Sequence, residues 1–398
     1  MAASLATLTN ITKEIYEGEI REQLNNDVLT LRRIEKTSRG TTKVGGRYVT
    51  FPIHTKRNSG IGARLELEAL PAAGQQGHES ARVGLRYLYG AVELSGQAIK
   101  LIDEDYQAFQ SSMEIELNGI KRDLARDMNR QVYGTGNGEI ARLTAVAAAD
   151  TIISVDRADL VDVGMVVDFV EAGVVENSAL TVLDVDVAAG TIELSAAVSG
   201  ADDAGYITRT GSSDVGGQRE WTGLGAIVGD TGTLYNINSA TVPVWRSVVN
   251  DNGGTPTAVS ETMFTKMADD IRTNGGSTSV IFTTLGVRRA YANLLTQQRQ
   301  FVNTKEFTGG FGGIAFITDK GEIPIVTDVY APPSTAWFLN EKELTLYREN
   351  DWEFMDMDGS KWARKTGFDA YEGTLYQYSE LGTGRRNSHG KIENITEA

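Results

Sequence analysis

The chain has 398 residues, of which 41% are hydrophobic and 23% charged, so it can bury a core in two or three domains. It contains no cysteine, which excludes disulfide scaffolds, thiolate zinc sites, iron–sulfur clusters and cysteine nucleophiles. Its three histidines are His54, His78 and His389. Each lies among Gly, Ser or Lys residues, which argues against a multi-histidine metal site and leaves Ser-His-Asp catalysis few candidates.

The net charge of −15 is the opposite of what a protein needs to neutralise nucleic-acid phosphates over much of its surface. The charges are also unevenly distributed. Residues 31–64 hold nine basic residues and one acid, whereas residues 140–210 hold twelve acids and three basic residues. Two interpretations stay open: chance clustering on solvated faces, or a basic segment that lies on the acidic surface of a neighbouring copy.

Neither a targeting signal nor a membrane span is visible, since the first residues lack a basic region followed by an apolar one and no stretch approaches ~18 apolar residues. We therefore expect the chain to fold in a cytoplasm and to have no membrane partner. Residues 1–39 are predicted to form an N-terminal arm, because the helical spacing of apolar residues from Ile11 to Leu31 is short and uncapped.

Residues 40–95 are predicted to form an extended hairpin loop. Residues 43–56 and 81–94 alternate between apolar and polar side chains, as paired strands do. At ~3.3 Å per residue, each of these strands would span ~46 Å. The connection between them is rich in Gly and Ala and too long for a compact domain, so we expect an arm that projects from the subunit.

Residues 96–139 are predicted to hold the spine helix of a peripheral domain. Apolar residues recur every three or four positions from Tyr106 to Val132, charged residues lie elsewhere around the helix, and Gly134 follows as a C-cap. A helix over 103–133 would be ~46 Å long, and we expect it to lie across a sheet. Its predicted core residues are Phe109, Met113, Leu117, Ile120, Leu124 and Met128.

Residues 140–213 are predicted to form an inserted β-rich domain, because short strand-like runs alternate with turn signals as in a small β-barrel or sandwich. Glycine-rich segments at 134–138 and 211–217 bracket it.

Residues 214–398 have an α+β pattern, predicted to complete the peripheral domain and to form an axial domain and a C-terminal tail. The predicted strands of the insertion are 151–155, 165–170, 180–187, 191–194 and 206–209. Those of the last segment are 279–283, 314–317, 323–329, 336–340, 344–347, 352–355, 362–366 and 374–378, with helices after Ser260 and Thr284.

A search for catalytic patterns finds no constellation that amounts to an active site. The glycine runs at 134–138 and 309–313 lack the context of a dinucleotide or phosphate loop. The densest carboxylate group alternates with aromatic and Met residues, which favours a solvated strand face over paired catalytic acids. We therefore predict no enzymatic activity, no cofactor and no metal. That carboxylate group is Glu349, Asp351, Glu353, Asp356 and Asp358.

The order of these segments resembles that of tailed-bacteriophage major capsid proteins of the Hong Kong 97 type, an α+β fold shared with encapsulin shells. IPIVTDVYAPP at 323–333 and TAWFLN at 335–340 are similar to a strand–turn–strand of the capsid axial domain. Residues 371–380 and 386–390 are similar to segments of actinobacterial phage capsid proteins. Many members of this family lack the insertion, so the resemblance implies no role for it.

The resemblance implies a shell protein that assembles through hexamers and pentamers into an icosahedral capsid around double-stranded DNA, without sequence-specific DNA binding. It also implies a virion made in the bacterial host cytoplasm, and a scaffolding protein, a portal and decoration proteins as possible partners. An encapsulin-like compartment with protein cargo is one alternative, and a β-rich carbohydrate-active enzyme that uses the carboxylate group is a remote one. The predicted contacts with a neighbouring copy are Arg47, Lys56, Arg57 and Arg64.

Overall fold

The computed structural model describes residues 28–37, 41–43, 46, 48–97, 106–145, 150–198, 205–296, 314–318, 321–356 and 362–398. Its helices are α1 Leu29–Thr37, α2 Tyr106–Tyr133, α3 Leu224–Ile227, α4 Glu261–Thr273 and α5 Leu285–Thr296. Within these ranges, no helix combines the length and the apolar character that a membrane crossing requires. Most of the predicted N-terminal arm lies outside the described residues.

The hairpin is shorter than the sequence predicts. Strands β2 (Tyr48–Lys56) and β3 (Gly77–Gly84) pair antiparallel as a two-stranded sheet. The residues after Gly84 form a separate strand, β4 (Arg86–Ser95), which pairs with a strand near the C-terminus instead. The expectation of two ~46 Å strands is therefore wrong, because the chain changes sheets at Leu85, where a buried side chain enters the core of the subunit.

One six-stranded sheet, called the peripheral sheet after the domain predicted to contain it, is built around β22 (Ala370–Thr383), which extends well beyond the predicted 374–378. β4 pairs with it over ten residues, from Ser95 opposite Ala370 to Arg86 opposite Ser379. A chain segment distant in sequence thus completes the sheet. The other strands are β1 Thr41–Lys43, β19 Leu344–Arg348, β20 Glu353–Phe354 and β21 Ala363–Arg364.

The inserted segment forms a six-stranded sheet in the order β5-β10-β7-β8-β9-β6. A further bridge joins Leu143, just after β5, to Val155, just after β6, so the first and last strands meet and the sheet closes into a small barrel. Among the residues of this segment that the structure describes, fifteen buried hydrophobic ones pack together in its interior. The strands are β5 Glu139–Arg142, β6 Asp150–Ser154, β7 Val166–Glu171, β8 Val174–Asp186, β9 Thr191–Val198 and β10 Tyr206–Arg209.

Another six-stranded sheet, called the axial sheet after the domain predicted to contain it, has the order β13-β23-β18-β15-β17-β16, and α4 and α5 pack against it. Ser260 caps α4 by accepting the N–H of Met263, at the position that the sequence predicts. Its strands are β13 Val248–Asn250, β15 Val280–Thr283, β16 Ile314–Thr318, β17 Gly321–Thr327, β18 Ala336–Leu339 and β23 Gly390–Ile392. Two small ribbons pair β11 Thr233–Leu234 with β12 Ile237–Asn238, and β14 Thr257–Ala258 with β24 Ile395–Thr396.

The spine helix α2 crosses the peripheral sheet at a glycine. A Cβ atom on Gly90 of β4 would lie 2.8 Å from Leu124 Cδ1 and 3.2 Å from Ile120 Cδ1. No larger residue fits at this position without moving the helix side chains, so Gly90 sets the distance between helix and sheet.

A buried carboxylate joins α1 to the spine helix. Asp328 is 1% exposed and accepts the backbone N–H of Thr30 (3.2 Å), the side-chain amide of Asn129 (3.1 Å) and the N–H of Tyr330 (2.8 Å). Because Thr30 is in the first turn of α1, Asp328 satisfies an N–H that the helix leaves unpaired. The N-terminal helix is therefore part of the core of the subunit.

Candidate assembly surface

The tip of the hairpin exposes large apolar side chains to solvent. The four largest are between 77% and 101% exposed, and the loop that carries them has no strand or helix of its own. Exposed apolar groups of this size are typical of surfaces that bind another protein. They are Ile61, Leu65, Leu67 and Leu70.

The basic residues predicted to contact a neighbour lie along the same arm. Lys56 at the end of β2 and Arg57 at the start of the loop are exposed. Arg64 is exposed as well, and its guanidinium donates to the carbonyl oxygens of Ala69 (2.8 Å) and Ala63 (2.9 Å), which holds the tip in a turn. Arg47 lies outside the described residues.

The stripe of the spine helix is buried to different degrees along its length. Met128, near its C-terminal end, is 3% exposed, whereas Ile120 and Leu124 are half-buried against β4. The side chains of Phe109, Met113 and Leu117 lie outside those that the structure describes. The C-terminal part of the helix therefore belongs to the core shared with Trp221 and Trp245.

A network of buried and half-buried charges joins the barrel to the spine helix. Asp127 of α2 binds Arg130 (3.1 Å) and Arg209 of the barrel (3.2 Å), and Arg130 binds Glu220 (2.6 Å) in the segment that leaves the barrel. Burial alone would raise the pKa of Asp127, but the two guanidinium groups hold this pKa well below its ordinary value. The barrel is thus attached by charge-assisted hydrogen bonds in addition to its two chain connections.

Two further ionisable groups are buried at the junction of the sheets. Burial raises the pKa of Glu380 to about 8, although Arg86 (3.0 Å) and the N–H of Thr222 (2.6 Å) bind its carboxylate. Burial also lowers the pKa of His389 to about 3, so this imidazole is neutral at pH 7. Its Nδ1 accepts the N–H of Asn340 and its Nε2 lies 2.9 Å from the hydroxyl of Thr383, which indicates a structural role.

Two described members of the predicted carboxylate group bind neighbouring side chains. Asp351 binds Arg348 (3.1 Å), and Glu353 accepts the hydroxyl of Tyr376 (2.7 Å). Asp358 lies outside the described residues. Among the residues that are described, no group of three or more His, Asp or Glu side chains is arranged to hold a metal ion.

The family model of the SU10 major capsid protein matches residues 197–396, which include the axial sheet and β22. The chain belongs to this family. It is thus a major capsid protein of a tailed bacteriophage, and a component of the virion capsid. No curated protein sequence matches the chain significantly.

Solved structures identify the fold of this capsid protein as the Hong Kong 97 type. The chain is similar to one from the capsid asymmetric unit of cyanophage A-1(L), with a TM-score of 0.66 and 14% identity over 99% of this chain and 100% of that one. It resembles a chain of Mycobacterium phage Bobi with a TM-score of 0.51 and 8% identity over the full length of both. The holo-SrpI encapsulin complex of Synechococcus elongatus PCC 7942 matches with a TM-score of 0.53 and 7% identity over 99% of this chain and 96% of that one.

The burial and the pairing of several ionisable side chains in this capsid protein are not evident from its sequence. Arg130 and Glu220 are separated by ninety positions and look like surface charges, yet each side chain is only 7% exposed. The pairing of His54 with His78 is similarly hidden until the hairpin register is known. The alternation of side chains in residues 48–56 is the sequence signal from which the register of β2 against β3 could have been inferred. That register brings the two histidines together.

Proposed function

We propose that many copies of this capsid protein assemble through hexamers and pentamers into an icosahedral shell that encloses double-stranded DNA. Assembly would take place in the bacterial host cytoplasm, without enzymatic activity and without a membrane. The capsid family and the net charge of −15 support this proposal. A strongly basic inner wall would bind packed DNA and hinder its release, whereas an acidic chain leaves the DNA free.

We further propose that the hairpin binds a neighbouring copy. The observation that carries this proposal is the tip, where Leu67 is fully exposed and Leu65 and Leu70 are nearly so. Burying such side chains contributes roughly 1.5–3 kcal/mol each, and this gain repeats at every copy of a closed shell. Lys56 and Arg57 add attraction for an acidic partner surface, and the chain itself is acidic outside the arm.

The barrel supplies acidic surface suited to such a contact. Glu176, Asp184 and Asp186 on β8 are exposed, and the barrel segment has an excess of acids over bases. We also propose that the chain is divided into five segments, at residues 1–39, 40–95, 96–139, 140–213 and 214–398. A scaffolding protein, a portal and decoration proteins are proposed as further partners of the shell.

Charge reversal on the arm tests the neighbour contact. Lys56→Glu with Arg57→Glu should leave circular dichroism and melting of the unassembled chain unchanged but block shells in negative-stain microscopy and sedimentation. The matched control, Lys56→Arg with Arg57→Lys, keeps both charges and should assemble normally. Normal shells from the reversed variant would show that these charges serve another contact.

A second variant separates the apolar contribution from the charged one. Leu67→Ser with Leu70→Ser should weaken assembly even in high salt, where screening removes most of the attraction between exposed charges.

The similarity to an encapsulin makes a cargo compartment the rival function. Nuclease-resistant DNA in particles isolated from infected cells would support the capsid function, whereas a co-purifying enzyme cargo without DNA would support the rival.

A further inference from the structure

The exposed face of the hairpin brings together two of the three histidines of the chain. His54 of β2 and His78 of β3 occupy directly opposed positions in the antiparallel ladder, and their ring centroids are 5.2 Å apart. Both side chains are exposed. Directly opposed residues have Cβ atoms ~4.5–5.5 Å apart, so the two imidazole rings can reach one common point above the sheet.

A third polar group lies beside the pair. Nε2 of His54 is 2.5 Å from Oε1 of Gln76, the residue that precedes β3. The carboxamide oxygen only accepts hydrogen bonds, so in this arrangement Nε2 carries the imidazole proton. Transfer of that proton to Nδ1 frees Nε2 as a ligand and leaves the Gln76 oxygen within reach of the same point.

We propose that His54 and His78 form a binding site for a divalent transition-metal ion of the Zn²⁺ or Cu²⁺ class. Neutral imidazole is a preferred ligand of these ions, whereas Ca²⁺ and Mg²⁺ require several oxygen ligands that this face lacks. The ion would be held by the two imidazole nitrogens, with the Gln76 oxygen and water in the remaining positions. This site does not depend on the proposed shell function.

The surroundings set the expected affinity. Lys56 lies opposite Gly77, beyond the register shift that follows His54, and Glu79 is paired across the ladder with Ile53, on the face opposite the two histidines. No acidic side chain therefore offsets the charge of the ion on the described face of the hairpin. With two strong ligands instead of the four of a closed structural site, binding is expected to be weaker than in a structural zinc site.

Metal binding would fix the end of the ladder from which the tip projects. The register shifts between His54 and Lys56, so this is the last regular pair before the loop. An ion that joins β2 to β3 here closes the strands at the point where they would otherwise separate first. The stabilisation of the folded hairpin then rises with the logarithm of the ratio of the metal concentration to the dissociation constant.

The test uses the full chain without a polyhistidine tag, stripped with EDTA and titrated with ZnCl₂ in a calorimeter. We expect one ion per chain. His54→Asn or His78→Asn should each weaken binding by at least about 10- to 100-fold, because losses of that size occur even when only a residue hydrogen-bonded to a metal ligand is removed. The electron paramagnetic resonance spectrum with Cu²⁺ should show two imidazole nitrogens in the wild type and one in each variant. Binding should weaken as the pH falls, because protons compete for the imidazoles.

A register variant provides the matched control. His78→Ser with Glu79→His keeps the number of histidines but places one opposite Ile53, on the other face of the ladder, where it cannot share an ion with His54. Its affinity should fall as in the single variants, with circular dichroism unchanged. No binding at millimolar zinc, or equal affinity in the wild type and in the His54→Asn, His78→Asn double variant, would overturn the proposal.

Discussion

Arg130 and Glu220 form an ion pair of 2.6 Å in which each side chain is only 7% exposed, between the spine helix and the segment that leaves the barrel. Arg130 also binds Asp127 and donates to the carbonyl oxygen of Glu139 (2.9 Å). One guanidinium thus joins the spine helix to the chain segments that enter and leave the barrel.

Removing one partner of this pair should be costly. Glu220→Ala leaves the Arg130 guanidinium buried with fewer acceptors, and we expect the free energy of unfolding to fall by about 3–5 kcal/mol. Urea denaturation of the unassembled chain measures this loss. Arg142→Ala, which breaks the more exposed pair with Glu139, is the control and should cost no more than about 1 kcal/mol. A loss of similar size in both variants would contradict the role of burial.

The approach of the spine helix to the sheet gives a second prediction. Gly90→Val introduces atoms where Leu124 and Ile120 already lie, and should cost about 1–3 kcal/mol of stability. Gly119→Ala, on the same helix, meets no atom within 4 Å and should instead stabilise by about 0.5–1 kcal/mol. Thermal melting of both variants checks the two signs, and an unchanged midpoint for Gly90→Val would show that the contact is loose.

The raised pKa of Glu380 predicts a pH dependence of stability. Between the ordinary pKa of 4.5 and about 8, the folded chain retains a proton that the unfolded chain has lost. The stabilising effect of that proton is complete below pH 4.5 and is lost as the pH rises through 8, at up to about 1.4 kcal/mol per pH unit. Glu380→Gln should lack this part of the slope in denaturation curves from pH 5 to 8. Glu349→Gln, at an exposed position, should keep it.

The barrel should be separable from the rest of the chain. The N–H of Asp214 donates to the carbonyl oxygen of Asn137 (3.1 Å), so the two ends of the inserted segment lie side by side. Replacing residues 140–213 with a short Gly/Ser linker should therefore leave a chain that melts cooperatively, at a reduced temperature because Arg209 no longer binds Asp127. Calorimetry checks this, and the absence of a cooperative transition would place the barrel within the core of the subunit.

Much of the fold could be predicted from local patterns. The spacing of apolar residues predicts the helix that the structure places at Tyr106–Tyr133, and Ser260 marks the start of α4. Five strands of the barrel are found near the predicted positions, because alternation and turn residues act over a few positions. The family match over residues 197–396 confirms the capsid family that the sequence resembles.

Other features depend on which distant segments meet. The alternation across residues 81–94 looks like one strand, and only the tertiary structure shows that the chain leaves the hairpin at Leu85 and pairs with β22. Alternation specifies which face of a strand is buried but not which strand it joins, since backbone hydrogen bonds are the same for every partner.

The same reason explains the buried charges and the histidine pair. Asp127, Arg130 and Glu220 have the composition of a solvated surface, and their burial follows from the barrel being packed against the spine helix. His54 and His78 become neighbours only through the hairpin register. The sequence by itself determined the position of the spine helix, most strands of the barrel and the capsid family that the chain resembles. The tertiary structure alone decided which side chains meet, because contacts between distant segments depend on packing and register, which no local pattern encodes.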